Sequence, residues 1–347
     1  MNIDFIPIDY DYFDFDGKNY ARIFGRTKSG KKICLIDECD AYFWAILKND
    51  LSEKKIKEVE EKILEIKVEN NARVGNVIKT EIHKKNFLGK EIKAIKVFVS
   101  NHKDCQKIGE KINFKEVDKI KEDDIPFITR YIIERQLIPF NFYEIDGEAL
   151  HNSKEFGGID SSLNVDLCIK VNKIKRISED KNFEPKVIAF DIETSEFDVG
   201  KGEILMISIA GEKMKKVLTC KNKSVSDKLD FVEYFNSEKE IIEKFAEIIK
   251  KESPDVLTGY FSDGFDLPYL KSRAEKNKVK LSLGVDESGP KFSGGRNPRG
   301  KIAGIVHVDL LHFIKTAYSQ YLQSETLGLN EVASELLGEK KLEHEFK

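Results

Sequence analysis

Apolar residues recur along this chain at two spacings, every second position in some segments and every third or fourth in others. Tyr20–Phe24 and Lys32–Ile36 alternate as strands do, around a polar turn at Thr27–Gly30. Ala41–Leu47 is an apolar and aromatic run. The charged stretch Ser52–Ile66 carries Ile56, Val59, Ile63 and Ile66 at helical spacing. Lys93–Val99 (KAIKVFV) predicts a strand, and Asp104–Ile112 a short helix for which Asp104 is a candidate cap. Ile125–Arg135 predicts a helix opened by a proline. Residues 141–183 are polar and irregular around a strand-like centre at Leu167–Val171, which predicts a connection into a second domain.

From Val187 the pattern becomes α/β. Strands are expected at Val187–Ile192, Ile204–Ala210 and Lys216–Cys220, then a helix over Glu238–Lys251. A short strand at Asp255–Thr258 leads to a helix from Asp266 to about Asn277. A glycine-rich loop, Gly284–Gly304, a strand at Ile302–Val308, a helix from Asp309 and another over Glu325–Leu337 complete the chain. No repeat period appears. At 347 residues the chain exceeds what one core ordinarily serves, about 250–300 residues, so two domains are expected. They are placed at residues 1–143 (α+β) and 144–347 (α/β, a mixed sheet flanked by helices).

Composition changes this picture little. Hydrophobic residues make up 40% and charged residues 34%, with no run of about 18 apolar residues. The acidic opening lacks the basic-then-apolar order of a secretion signal, so a cytoplasmic location is the default expectation. Five cysteines without a CxxC pair read as reduced, mostly buried thiols. Six histidines show no ligand spacing, which argues against zinc. A net charge of −3 does not exclude nucleic acid, because a groove can be positive on an acidic protein.

The candidate chemistry lies in carboxylates. In Val187–Glu193 (VIAFDIE), strand alternation puts Asp191 and Glu193 on one face and Ile188, Phe190 and Ile192 on the other. Two like charges at the end of an apolar strand are costly unless a cation compensates them. Magnesium suits, since it takes hard oxygen ligands and needs only one or two carboxylates plus water and phosphate. Asp266, after a glycine-containing turn, is the third candidate. Three carboxylates from two separate segments match two-metal hydrolysis of a phosphodiester. Plainer readings stand beside this one. Asp191 and Glu193 also suit a solvated strand end, and Asp266 a helix N-cap with Pro268 in the first turn. Asp309 reads as a cap, and Asp198, Glu203 and Asp263 as surface or loop residues.

On these residues the chain resembles archaeal family B DNA polymerases. Val187–Thr194 (VIAFDIET) is similar to their first exonuclease motif, and Asp255–Leu270 (DVLTGYFSDGFDLPYL) to the second. Val306–Phe313 (VHVDLLHF) is similar to the strand-to-helix step that follows. Asn86–Lys96 and Asp124–Pro139 resemble segments of the N-terminal domain, so the likeness covers nearly the whole chain. The resemblance implies a ribonuclease H-like 3′→5′ exonuclease domain that edits primer ends with two magnesium or manganese ions. Asp191, Glu193 and Asp266 would be the metal ligands, with Glu193 also orienting the attacking water. Thr194, Phe261 and Phe265 would contact the primer, though Phe265 also suits plain core.

Two departures stand out. Phe261 and Gly264 occupy places where the family commonly has asparagine, so weaker editing is expected. The third motif, a tyrosine followed four residues later by an aspartate, is not found, since Tyr318 and Tyr321 precede Leu322 and Glu325 at that spacing. Palm, fingers and thumb are likewise absent. The implied partners are therefore DNA (primer 3′ end and template), a second chain carrying those domains, and a sliding clamp reached through that chain. The alternative is a DNA-binding half with weakened or lost proofreading. In the first domain, Tyr12, Ala41, Tyr42 and Ala94 match by position the region that senses template uracil in such polymerases; ordinary packing explains them equally. Lys84, Lys85, Lys90, Lys93 and Lys96 suit phosphate contacts or a solvated face.

Overall fold

The acidic opening of the chain is a strand, β1 (Asn2–Phe15), whose aspartates alternate with inward-facing side chains such as Phe5, Ile8 and Tyr10. The computed structural model describes residues 1–70, 73–151, 154–177, 183–220, 229–294, 298–324 and 326–339. The chain divides into two units, Met1–Ser161 with Val165–Asn182, and Ser162–Asn164 with Phe183–Lys347.

In the first unit β2 (Lys18–Arg26) and β3 (Lys32–Glu38) follow β1, and then β4 (Ala41–Leu47), α1 (Glu53–Leu64), β5 (Lys67–Asn70), β6 (Arg73–Phe87) and β7 (Lys90–Val99). Next come α2 (Cys105–Lys111), β8 (Val117–Lys121), α3 (Phe127–Arg135), β9 (Tyr143–Ala149) and β10 (Leu167–Arg176). Strands β1-β2-β3-β10-β9 close a barrel, and β5-β6-β7-β4-β8 form an open sheet. The expected connection at 141–183 is therefore corrected, because β9 and β10 complete the barrel. In YEIDGEA the buried positions Tyr143, Ile145 and Gly147 alternate with exposed acids, a period-two pattern that its polar composition hides. Helix α1 buries Ile56, Val59 and Ile63, and Ser52 Oγ accepts the Lys55 N–H as its cap. Asp104, expected to cap a helix, makes no cap bond there. Its buried carboxylate instead pairs with Arg73 at 2.6 Å.

The second unit opens with β11 (Val187–Thr194), β12 (Ile204–Gly211), β13 (Met214–Thr219) and β14 (Val232–Tyr234), then α4 (Glu238–Glu252), β15 (Val256–Gly259) and α5 (Asp266–Lys276). A short ribbon of β16 (Lys291–Phe292) and β17 (Gly300–Lys301) precedes β18 (Val306–Asp309), α6 (Leu310–Ala317) and α7 (Leu329–Leu337). The sheet order is β14-β13-β12-β11-β15-β18, antiparallel around β12 and parallel along β11-β15-β18. Helix α4 shows why the sequence folds this way. Ile241, Ile242, Phe245, Ile248 and Ile249 form one apolar stripe against β12 and β13. Each such fully buried side chain is worth about 1.5–3 kcal/mol. Ser237 caps the helix and Ser253, at φ 52°, ends it.

The strand expected at Ile302–Val308 starts only at Val306, because Gly304, at φ 76°, turns the chain between Ile302 and Ile305. The last helix begins at Leu329; Glu325, where it was expected to start, lies outside the described residues, as do 295–297 of the glycine-rich loop. All five thiols are free; four are buried and Cys220 is partly exposed. Among the described residues no helix is long and apolar enough to cross a membrane.

Candidate active site

Along β11, Ile188, Phe190 and Ile192 are 5% exposed or less and join the unit's core, while Asp191 and Glu193 point to the exposed face. The parallel ladder with β15 ends at Ala189↔Thr258. Both carboxylates therefore lie beyond the carboxyl end of that pairing, where β15 leaves the sheet. This is where parallel α/β sheets open a crevice for ligands.

The departing chain turns tightly. Gly259 leaves no room for a Cβ, which would sit 3.0 Å from Phe190 O. Phe261 adopts φ 63° and its carbonyl accepts the N–H of Gly264 and of Phe265. A left-handed conformation costs a bulky residue about 1–3 kcal/mol. The ring of Phe261 then lies over Gly264, where a Cβ would meet it at 2.3 Å. The changes at Phe261 and Gly264 are thus one feature, since the ring requires the glycine.

Asp266 is the first residue of α5, and Phe265, not Asp266, takes the N-cap position. The carboxylate does not cap. It is 3% exposed and accepts the N–H of Ile192 at 3.1 Å, so it is tied to the residue between Asp191 and Glu193. Burial and the neighbouring Asp191 charge push its pKa up to about 7, against the pull of the Ile192 N–H. Among the described residues no three His, Cys, Asp or Glu side chains close around one point suited to a metal ion. Two neighbouring carboxylates nonetheless fit a magnesium-like cation, which completes its shell with water and phosphate oxygens.

Asp309 does cap α6, accepting from Leu311 N at 2.9 Å and His312 N at 3.3 Å. It also accepts from Phe261 N at 3.1 Å and Asp263 N at 3.0 Å, which staples the turn to β18 and α6. That second role has no signal in the sequence, since it joins residues more than 40 positions apart by backbone groups. Asp263 lies in the turn, as expected, but is partly buried. Its Oδ1 accepts Gly300 N at 2.6 Å and lies 3.1 Å from His307 Nδ1, while Ser262 Oγ is 3.0 Å from His307 Nε2. Burial opposes ionisation of Asp263, but the His307 contact and the Gly300 N–H outweigh it and hold its pKa below the ordinary value. Asp198 and Glu203 are exposed as expected.

Thr194 Oγ1 donates to Glu196 O at 2.9 Å, an oxygen that also accepts from Tyr269. Phe265 packs against the core, its ring tilted 5.3 Å from Tyr269 and 6.4 Å from the exposed Phe197. In the first unit, Tyr12 meets the rings of His102 and Phe127 at 4.4 and 5.7 Å. Tyr42 lies under the Lys96 ammonium at 3.7 Å and the Arg130 guanidinium at 4.2 Å. Ala41 turns into the core beneath the open sheet, whereas Ala94 lines a shallow pocket with Trp44 on the other face, so the four do not line one surface. Lys85 covers Trp44 at 4.7 Å, Lys84 pairs with Glu91, and Lys90 and Lys93 are exposed.

Residues 119–332 match the family model for DNA polymerase family B, exonuclease domain. A DNA polymerase of Pyrococcus glycovorans is 34% identical over 315 residues, covering 89% of this chain and 34% of the relative. One from Thermococcus aggregans is 32% identical over 343 residues, covering 96% of this chain and 16% of the relative. This chain thus spans about a third or less of their lengths. The solved family B DNA polymerase of Pyrobaculum calidifontis superposes with a TM-score of 0.75 at 21% identity, over 97% of this chain and 40% of that one. The fold is α/β, a ribonuclease H-like exonuclease domain preceded by an α+β unit. The chain belongs to DNA polymerase family B, which it matches through that family's exonuclease domain.

Proposed function

We propose that the second unit is a 3′→5′ exonuclease that removes mispaired nucleotides from a DNA primer end. The observation that carries this reading is the bond from Ile192 N to the buried Asp266 carboxylate, which draws that acid to the Asp191–Glu193 edge. Asp191 and Asp266 would hold divalent cations, magnesium or manganese, and Glu193 would share in this and orient the attacking water. Cations held there supply a deprotonated water and stabilise the departing oxygen. The chain's own residues do the rest. The core behind β11 fixes the carboxylates, the Phe261–Phe265 turn sets where Asp266 stands, and Thr194, Phe261 and Phe265 border the path of the primer.

Polymerisation belongs to a part outside these 347 residues, on a second chain or a continuation, through which a sliding clamp would also be reached. In the first unit the partly exposed Tyr12, beside Lys103, suits a contact to a template base, whereas Tyr42 is buried under Lys96 and Arg130. A second reading, a DNA-holding module without cleavage, is favoured by Phe261 in the usual asparagine place and by the lack of a closed three-carboxylate cluster among the described residues.

One assay decides between them. A 5′-labelled single strand incubated with this chain and magnesium should shorten from its 3′ end. Asp191→Ala should reduce that at least 100-fold while leaving strand binding intact. No shortening by the parent chain supports the second reading, and shortening that survives Asp191→Ala removes the site assignment.

A further inference from the structure

Asp309 ends β18 opposite Gly259, the residue at which β15 leaves the sheet. A helix cap needs one side-chain oxygen turned to the first N–H groups of its helix, and Asp309 Oδ1 supplies this to Leu311 N and His312 N. The carboxylate does more than that. Oδ1 also accepts from Phe261 N and Oδ2 from Asp263 N, and the residue is 7% exposed. Two donors of one tight turn thus meet a single charged acceptor, the strong form of a hydrogen bond.

These two bonds hold a conformation that the chain otherwise avoids. Phe261 sits at φ 63°, and with its N–H fixed its carbonyl meets the N–H groups of Gly264 and Phe265. Ser262 O takes Leu267 N, so the first turn of α5 is built on the same few residues. Asp266 stands between these bonds, and its carboxylate reaches the Ile192 N–H at 3.1 Å. A series of hydrogen bonds therefore runs from Asp309 through the turn to the strand that carries Asp191 and Glu193. The charge of Asp309 gives no help at its far end. Burial and Asp191 raise the Asp266 pKa most, and Asp309 adds to them. A buried acid that opposes ionisation of its neighbour is explained by the backbone it holds.

We propose that Asp309 is a positioning residue for the cleavage reaction. By fixing the backbone of Phe261 and Asp263 it sets Asp266 against the Ile192 amide, and with it the separation of the three carboxylates. This deepens the exonuclease reading and rests on it for the use of that geometry, not for the geometry itself. Capping of α6 is a separate duty of the same side chain, so substitution can divide the two.

Asp309→Ser and Asp309→Asn both remain competent helix caps, but neither offers a charged oxygen to each of Phe261 N and Asp263 N. The full chain is used throughout, and dichroism melts check that each variant is folded at the assay temperature. The first readout is exchange of the Ile192 amide, followed by nuclear magnetic resonance in EDTA. Both variants should speed it by roughly tenfold, a change that a cap on α6 would not transmit to β11. The second readout is shortening of a 5′-labelled single strand with magnesium. There kcat should fall by roughly 30-fold while KM stays within about threefold, since the loss is one of alignment. Ile192 exchange within about twofold of the parent in both variants would overturn the proposal, as would faster exchange with an unchanged kcat. If the parent cleaves and the variants match it in both readouts, only the role of Asp309 fails. If the parent never cleaves yet the variants speed Ile192 exchange, Asp309 stands as the residue that sets Asp266 and the exonuclease reading fails.

Discussion

At Asp266 the chain buries an acid beside another acid. The folded-state pKa of about 7 exceeds the ordinary 3.8, so the folded protein keeps a proton that the unfolded chain has already lost. The stability tied to this group is complete below about pH 4 and is lost as pH rises through 7, a difference of a few kcal/mol. Asp266→Asn keeps an oxygen for Ile192 N and removes the charge. Without divalent cations the variant should melt several degrees above the parent at pH 8, and the gap should close by pH 4. Magnesium at pH 8 should raise the parent's melting temperature and leave the variant's unchanged. A gap that ignored pH would mean that Asp266 is not held protonated beside Asp191.

At the scale of an element, the turn from Tyr260 to Phe265 works as one piece. Gly264→Ala puts a Cβ 2.3 Å from the Phe261 ring and should destabilise the second unit by about 1–3 kcal/mol in urea unfolding. In Phe261→Ala that clash has no ring to meet, so the double variant should be more stable than the sum of the single losses by 1 kcal/mol or so. Strict additivity would show that the ring does not rest on the glycine. The sequence discloses this turn only in part. Two changed motif positions are visible, but their dependence on each other lies in a left-handed backbone. The same contrast runs through the elements. Strand β11 and helix α4 declare themselves because their periods coincide with their buried faces. Strand β9 stays hidden because exposed acids dominate its composition, and β10 shows only its first half, Leu167–Val171, before lysines take over. Asp309 is legible as a cap and not as the staple of a distant turn, because backbone N–H donors carry no residue identity.

For the whole molecule, the division of apolar cores settles how damage should spread. Among the described residues, two apolar clusters lie within the first unit and one within the second. The second unit also holds a buried ion pair. Glu238 takes Arg273 Nε at 2.7 Å and Nη2 at 2.6 Å, and accepts from Ile204 N and Asn277 Nδ2 as well. Burial would raise the Glu238 pKa, but these donors outweigh it and hold it below the ordinary value. Its contribution is therefore present above about pH 4.5 and lost as pH falls through the depressed value. Glu238→Ala strands a buried guanidinium and should cost about 3–5 kcal/mol near pH 7, with the loss shrinking in acid. The sole tryptophan, Trp44, sits on β4 of the first unit and reports that unit's unfolding by fluorescence. Far-ultraviolet dichroism, with the long helices α4 and α5 contributing, also follows the second. The variant should lower a dichroism midpoint and leave the Trp44 midpoint nearly in place, because each unit buries its own apolar side chains. Equal falls in both would show that the two units unfold as one cooperative body.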